Sequence, residues 1–146
     1  MQKGWKEVVP GVQVKFYDAG HILGSAISVL QLGDTMIGYT GDLGPNNVPL
    51  LRDPEIPEEE IQLLLLEATY GARLHEGLEK ATNRLAETIK TICNRGGKMI
   101  VPAFSLGRTQ VLVYLIHKLT DEGKIPRFPI YVDSPLATES TQLYRK

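Results

Sequence analysis

The amino-acid sequence predicts a mixed α/β chain, with an antiparallel, strand-rich first half and a mostly parallel α/β second half. Period-two apolar runs rich in Val and Ile fill the first forty residues. After Tyr70-Gly71 the apolar spacing changes to threes and fours. From there strand-like and helix-like segments alternate, the pattern of a parallel layer covered by helices.

The elements follow in chain order. VQVKFYD (12–18) and AISVLQL (26–32) are apolar strands separated by a glycine-rich loop, and Gly33-Asp34 turns the chain into TMIGYT (35–40), so 26–40 forms a hairpin. A polar loop from Gly41 to Glu60 carries Pro45, Pro49, Pro54 and Pro57, and its acidic stretch DPEIPEEE reads as a solvated connector. IQLLLLEAT (61–69) is nearly continuous in apolar residues, as a strand covered on both faces would be. Leu78, Ala81, Leu85, Ile89 and Ile92 define a helix that Gly96-Gly97 stops. KMIVPA (98–103) is expected to be a strand. Residues 107–120 are expected to be a helix with Val111, Leu112, Leu115, Ile116 and Leu119 inward, and PIYVD (129–133) a further strand. Pro135 opens a third helix, since proline suits the first turn. A seam near residues 68–77 separates the two halves.

With 42% apolar and 23% charged residues in 146, the chain has the balance of a globular protein large enough to bury a core. No run approaches the roughly 20 apolar residues of a membrane span, and MQKGWKEVVPG lacks the apolar segment of a secretory signal. The single Cys93 excludes an internal disulfide and suits the reducing cytoplasm; its helical apolar setting makes it a buried thiol. The net charge of −1 hides a division. Residues 1–70 hold 4 Lys/Arg and 10 Asp/Glu, a balance of −6, whereas residues 71–146 hold 12 and 7, a balance of +5. The second half is the better surface for a polyanion, although solvated surface charge also accounts for such a split.

Five loops at strand ends carry the residues with chemical potential. In AGHILGSA, His21 is either a surface histidine or a metal ligand held by glycines that let the backbone pass close to another group. In YTGDLG, Asp42 is either a turn aspartate bonding its own backbone or a carboxylate aimed into a site. Glu67 follows four leucines, so its charge requires a partner or an exit to solvent. In PAFSLGRTQ, Ser105 and Thr109 suit helix capping. With Arg108, they also suit an anion at a helix N-terminus. In YVDSPLA, Ser134 is a helix cap, and Asp133 admits both a structural and a functional role. His75 and His117 sit in charged surroundings and read as surface residues.

Taken together and in this order, AGHILGSA, YTGDLG, EATYG, PAFSLGRTQ and YVDSPLA resemble the metallo-β-lactamase-fold nucleases of the β-CASP group, over roughly residues 5–146. The third motif carries Ala68 where the family's usual form has serine. The resemblance implies that residues 1–70 are the C-terminal, antiparallel-strand portion of a metallo-β-lactamase αββα sandwich. Residues 71–146 would be the start of a parallel α/β β-CASP domain. It implies metal-ligand roles for His21 and Asp42, with Asp42 bridging two zinc ions, a supporting catalytic role for Glu67, and phosphate or RNA binding by Ser105, Arg108 and Ser134. The implied activity is hydrolysis of RNA phosphodiester bonds by a two-metal mechanism, with zinc-bound hydroxide as nucleophile.

The family's upstream His-x-His-x-Asp-His cluster and its later histidines have no counterpart among the three histidines here. Two cations about 3.5–4 Å apart need more ligands than His21 and Asp42 supply. The chain is therefore expected to be an internal piece of a larger enzyme, inactive alone, holding no stoichiometric zinc and completed by the missing N- and C-terminal parts of the same protein. Self-association through uncovered strands is a further expectation, with RNA and not a membrane as the partner of the intact enzyme. Two other classes stay open: a non-catalytic scaffold subunit of an RNA-processing complex, and a metallohydrolase of small esters or thioesters.

Overall fold

The computed structural model describes residues 4–144, and the chain divides into two compact units, one ending at Leu74 and the other beginning at His75. The first unit is a five-stranded sheet in simple sequential order: β1 (Lys6–Val9), β2 (Val12–Asp18), β3 (Ala26–Leu32), β4 (Thr35–Tyr39) and β5 (Leu63–Leu65). Strands β1 to β4 pair antiparallel, with Val12 opposite Leu32, Asp18 opposite Ala26, and Leu32 opposite Thr35 across the tight turn. β5 joins β4 in parallel, Ile37 beside Leu63. The expected hairpin is present. β1 was not expected; its signal is the Pro10-Gly11 turn between two valine pairs, which brings Val9 opposite Val12. Tyr17, Ala19, Ile27 and Val29 form this unit's core, with Met36, Leu43 and Ile61 packed against it.

Two expectations for this unit are corrected. IQLLLLEAT forms only the three-residue β5, and Leu63, Leu64, Leu65 and Leu66 are each about half exposed instead of covered. β5 has a single strand neighbour, and among the described residues of this unit there is no helix to lie over it. The acidic connector is not simply solvated. Glu59 accepts hydrogen bonds from Lys15 Nζ at 2.8 Å and Tyr17 Oη at 2.6 Å, while Glu55 and Asp18 exchange two bonds, Asp18 N to Glu55 Oε2 at 2.9 Å and Glu55 N to Asp18 O at 2.8 Å. A carboxylate so paired loses less on leaving water than an unpaired one, and the loop is pinned along β2.

The second unit contains α1 (Leu78–Asn94), α2 (Arg108–Asp121) and α3 (Pro135–Leu143). The three predicted helices are all present. α1 and α2 end alike. After α1, the Gly97 and Gly96 amides donate to the Ile92 and Cys93 carbonyls; after α2, the Lys124 and Gly123 amides donate to Leu119 and Thr120. Gly96 and Gly123 supply the left-handed residue that this ending requires, with φ of 65° and 67°. The core is Ala86, Ile89, Ile116, Leu119 and Ile125, joined by Leu85, Leu112, Met99, Phe128 and the half-buried Cys93. No strand forms at 98–103 or 129–133, which corrects the expected parallel layer: among the described residues of this unit there is no sheet. A strand is defined by its ladder, and neither segment pairs with the other; Ile100 is 93% exposed and Tyr131 86%.

Candidate functional site

The loops after β2 and β4 are held together backbone to backbone. Gly44 N donates to Ala19 O at 2.8 Å, and a Cβ on Gly44 would overlap the Gly20 carbonyl. Only glycine permits that approach. The His21 loop is shaped from within by Ser25, whose Oγ accepts from the His21 and Ile22 amides at 3.1 and 3.2 Å and donates to Ile22 O. Asp18 Oδ1 accepts from Gly20 N at 3.0 Å and fixes the loop's entry.

This scaffold places His21 Nε2 3.9 Å from Asp42 Oδ2, with both side chains substantially exposed. At that distance and exposure the pair adds little to stability, so its geometry matters more than its energy. Glu67 lies alongside: its Oε1 accepts from Leu43 N at 3.3 Å, beside Asp42, and its Oε2 from Thr69 N at 2.9 Å. The Thr69 amide and hydroxyl, then the Leu43 amide, hold the Glu67 carboxyl below its ordinary range, and the charge of His21 acts in the same direction. The buried Thr40 completes the arrangement, accepting from Glu67 N at 3.1 Å and donating to Gly41 O at 2.8 Å. Thr40 and Ser25 were not singled out from the sequence, where small hydroxyl residues beside glycine read as ordinary loop composition.

The structure therefore brings His21, Asp42 and Glu67 together at the ends of β2, β4 and β5, although the first and last are 46 positions apart in sequence. It does not bring a full metal-ligand set: among the described residues, no group of three or more His, Cys, Asp or Glu side chains is placed to hold a cation. The two donors His21 and Asp42 do not by themselves fit a zinc site, which takes four ligands.

In the second unit, the loops leading into α2 and α3 meet. Ser105 Oγ and Ser134 Oγ lie 3.0 Å apart, and Ser134 Oγ also accepts from Ala137 N as the cap of α3. One of the two hydroxyl hydrogens bridges the pair, and the other is not used in that bond. Arg108 opens α2 with its guanidinium over the Phe104 ring, 5.5 Å from the centroid, leaving its N–H edge exposed. Thr109 Oγ1 turns back to Phe104 O at 2.7 Å and is engaged in the turn. Asp133 is exposed at the end of its segment. His75 is exposed as expected, and His117 pairs with Asp121 at 3.2 Å on the outer side of α2. No helix of the described residues is long and apolar enough to cross a membrane.

The first unit thus gathers a histidine and two carboxylates on strand-end loops, and the second, taken by itself, pairs two hydroxyls at helix N-termini. Comparison with known proteins shows what the chain is similar to. Residues 109–146 match the Beta-Casp domain. The chain is 35% identical over 133 residues to an RNase J-like protein of Methanocaldococcus jannaschii, covering 90% of this chain and 32% of that protein. It is likewise 35% identical to Ribonuclease TTHA0252 of Thermus thermophilus, covering 91% of this chain and 30% of that protein. With cleavage and polyadenylation specificity factor 73 of Drosophila melanogaster it shares 33% identity, covering 94% of this chain and 20% of that protein. The chain is thus similar to β-CASP proteins over about nine tenths of its length, with the Beta-Casp domain itself matched at residues 109–146. It spans a third or less of the length of these relatives.

Proposed function

We propose that this chain is the central portion of a metal-dependent β-CASP ribonuclease of the cytoplasm, spanning the junction between its metallo-β-lactamase part (1–70) and its β-CASP part (71–146). The observation that carries this is the His21–Asp42 pair at 3.9 Å with Glu67 hydrogen-bonded to the residue after Asp42, in a chain 35% identical over 133 residues to Ribonuclease TTHA0252. His21 and Asp42 are then two ligands of a zinc site whose remaining ligands come from parts of the protein outside these residues, and the isolated chain is inactive. Glu67, kept ionised by the Thr69 and Leu43 amides, anchors the Asp42 loop and presents fixed negative charge to the site. Ser105, Ser134 and Arg108 offer the hydroxyl hydrogen not used between the serines and a guanidinium edge to backbone phosphate, and the +5 balance of residues 71–146 favours RNA without reading its sequence.

The test compares Asp42→Ala with the unaltered sequence in a protein extended to the length of the relatives. RNA cleavage is expected to fall by a factor of about a thousand or more, the scale of losing a group that organises a hydrolytic centre, together with loss of bound zinc by elemental analysis. RNA binding should stay within about twofold. Cleavage retained by Asp42→Ala would refute the ligand assignment and leave Asp42 as a turn residue.

A further inference from the structure

We propose that Gln110 is the positioning residue of the Ser105–Ser134 phosphate site; the inference rests on the RNA-binding reading above and names the group that builds its geometry. Gln110 is 3% exposed, on the first turn of α2. Its Nε2 lies 3.0 Å from Ser105 O, 3.2 Å from Ala137 O and 3.2 Å from Thr141 Oγ1. A single amide thus ties the loop before α2 to the first two turns of α3, the two segments whose serines meet.

The orientation of the amide follows from its surroundings. Turning it over would set its oxygen against two carbonyl oxygens, and the Thr141 hydroxyl, already donating to Ala137 O at 2.7 Å, could not compensate. In the orientation observed, Oε1 is buried with no hydrogen-bond partner among the described residues. An apolar side chain of similar size would fill the space without that orphan, so the amide is the costlier occupant for packing alone. What it supplies, and leucine or methionine cannot, is a donor that fixes the Ser105 carbonyl relative to the α3 cap. With that link the two hydroxyls sit at 3.0 Å, within hydrogen-bond reach of each other, so one of them is engaged as donor and the pair is held as a unit. Without it the serines part, and each hydroxyl turns independently.

The experiment measures binding of a fluorescein-labelled oligouridine to the full chain over a salt series, beside hydrogen exchange at the Ala137 and Thr138 amides. Gln110→Met is expected to weaken binding about fivefold, the effect of one misplaced hydrogen bond, with an unchanged salt slope and faster exchange at Ala137. Arg108→Ala should instead flatten the salt slope by about one contact. Gln110→Met added to Ser134→Ala should weaken binding no further than Ser134→Ala alone, because the amide acts through the serine pair. Thr141→Val, which removes one acceptor of the amide, should shift binding and exchange the same way by a smaller amount, and it serves if Gln110→Met does not fold. Binding reduced by Arg108→Ala and Ser134→Ala but untouched by Gln110→Met and Thr141→Val would overturn the assignment. Binding indifferent to all four substitutions would refute the RNA-binding reading, and this inference with it.

Discussion

Replacing Gly44 by alanine tests how the His21 and Asp42 loops are held together. The added Cβ would lie 2.7 Å from His21 N and closer still to the Gly20 carbonyl, where ordinary contact begins at 3.4 Å. The loops must therefore part by at least 3.4 − 2.7 = 0.7 Å, which takes the Gly44 N–Ala19 O bond from 2.8 Å to the limit of hydrogen bonding. Ala19 is fully buried, so its carbonyl has no water to turn to. An unsatisfied buried group costs about 1–3 kcal/mol and overpacking about 1–3 kcal/mol, together about 2–6 kcal/mol. Trp5, the only tryptophan, adjoins β1 and reports unfolding of the sheet unit alone. Urea denaturation followed by its fluorescence should show the loss. Gly4→Ala, where the new methyl meets nothing within 4 Å, should stay within about 0.5 kcal/mol of the parent. An unchanged midpoint for Gly44→Ala, with the Gly44 amide still protected from exchange, would refute the backbone contact as the fixture of the site.

Two further outcomes follow from charge and exposure. Burial raises the Glu59 carboxyl, but the bonds from Lys15 and Tyr17 outweigh it, and Glu59, like Glu67, is held below its ordinary value. Folded values below unfolded ones contribute stability that is present above the ordinary carboxylate range and lost as pH falls through the depressed folded values. Trp5 fluorescence should therefore show the sheet unit weakening on acidification, with a shallower pH dependence in Glu59→Gln; identical acid profiles would contradict the role given to this carboxylate. Separately, the half-exposed Leu63–Leu66 edge should make the chain self-associate over a light-scattering concentration series, and Leu66→Lys should shift it toward monomer; a strictly monomeric parent would refute this.

The helices were legible because their determinants are local. The apolar spacing from Leu78 to Ile92, the glycines at 96 and 97, and Pro135 after Ser134 each act within a turn or two, and the structure realises all three helices. The β3–β4 hairpin is local in the same sense, its two-residue turn written at Gly33-Asp34. Strands that depend on distant partners were not legible. KMIVPA and PIYVD have strand composition, but composition supplies no ladder partner, and β5 has leucines but no cover. The docking of Glu55 and Glu59 on β2 was hidden for a related reason: an acidic run looks solvated until Lys15, Tyr17 and the Asp18 amide, some forty residues away, are found beside it. For the candidate site, His21, Asp42, Glu67, Ser105, Arg108 and Ser134 were nominated by the ordered motifs through the family they resemble, each with a structural alternative beside it. The 3.9 Å between His21 and Asp42, the Gly44 contact beneath them and the burial of Gln110 against the α2 entry loop and α3 were decided only in three dimensions. Residue type and local pattern specify chemistry and helix, whereas proximity across a sheet edge is a property of the folded backbone.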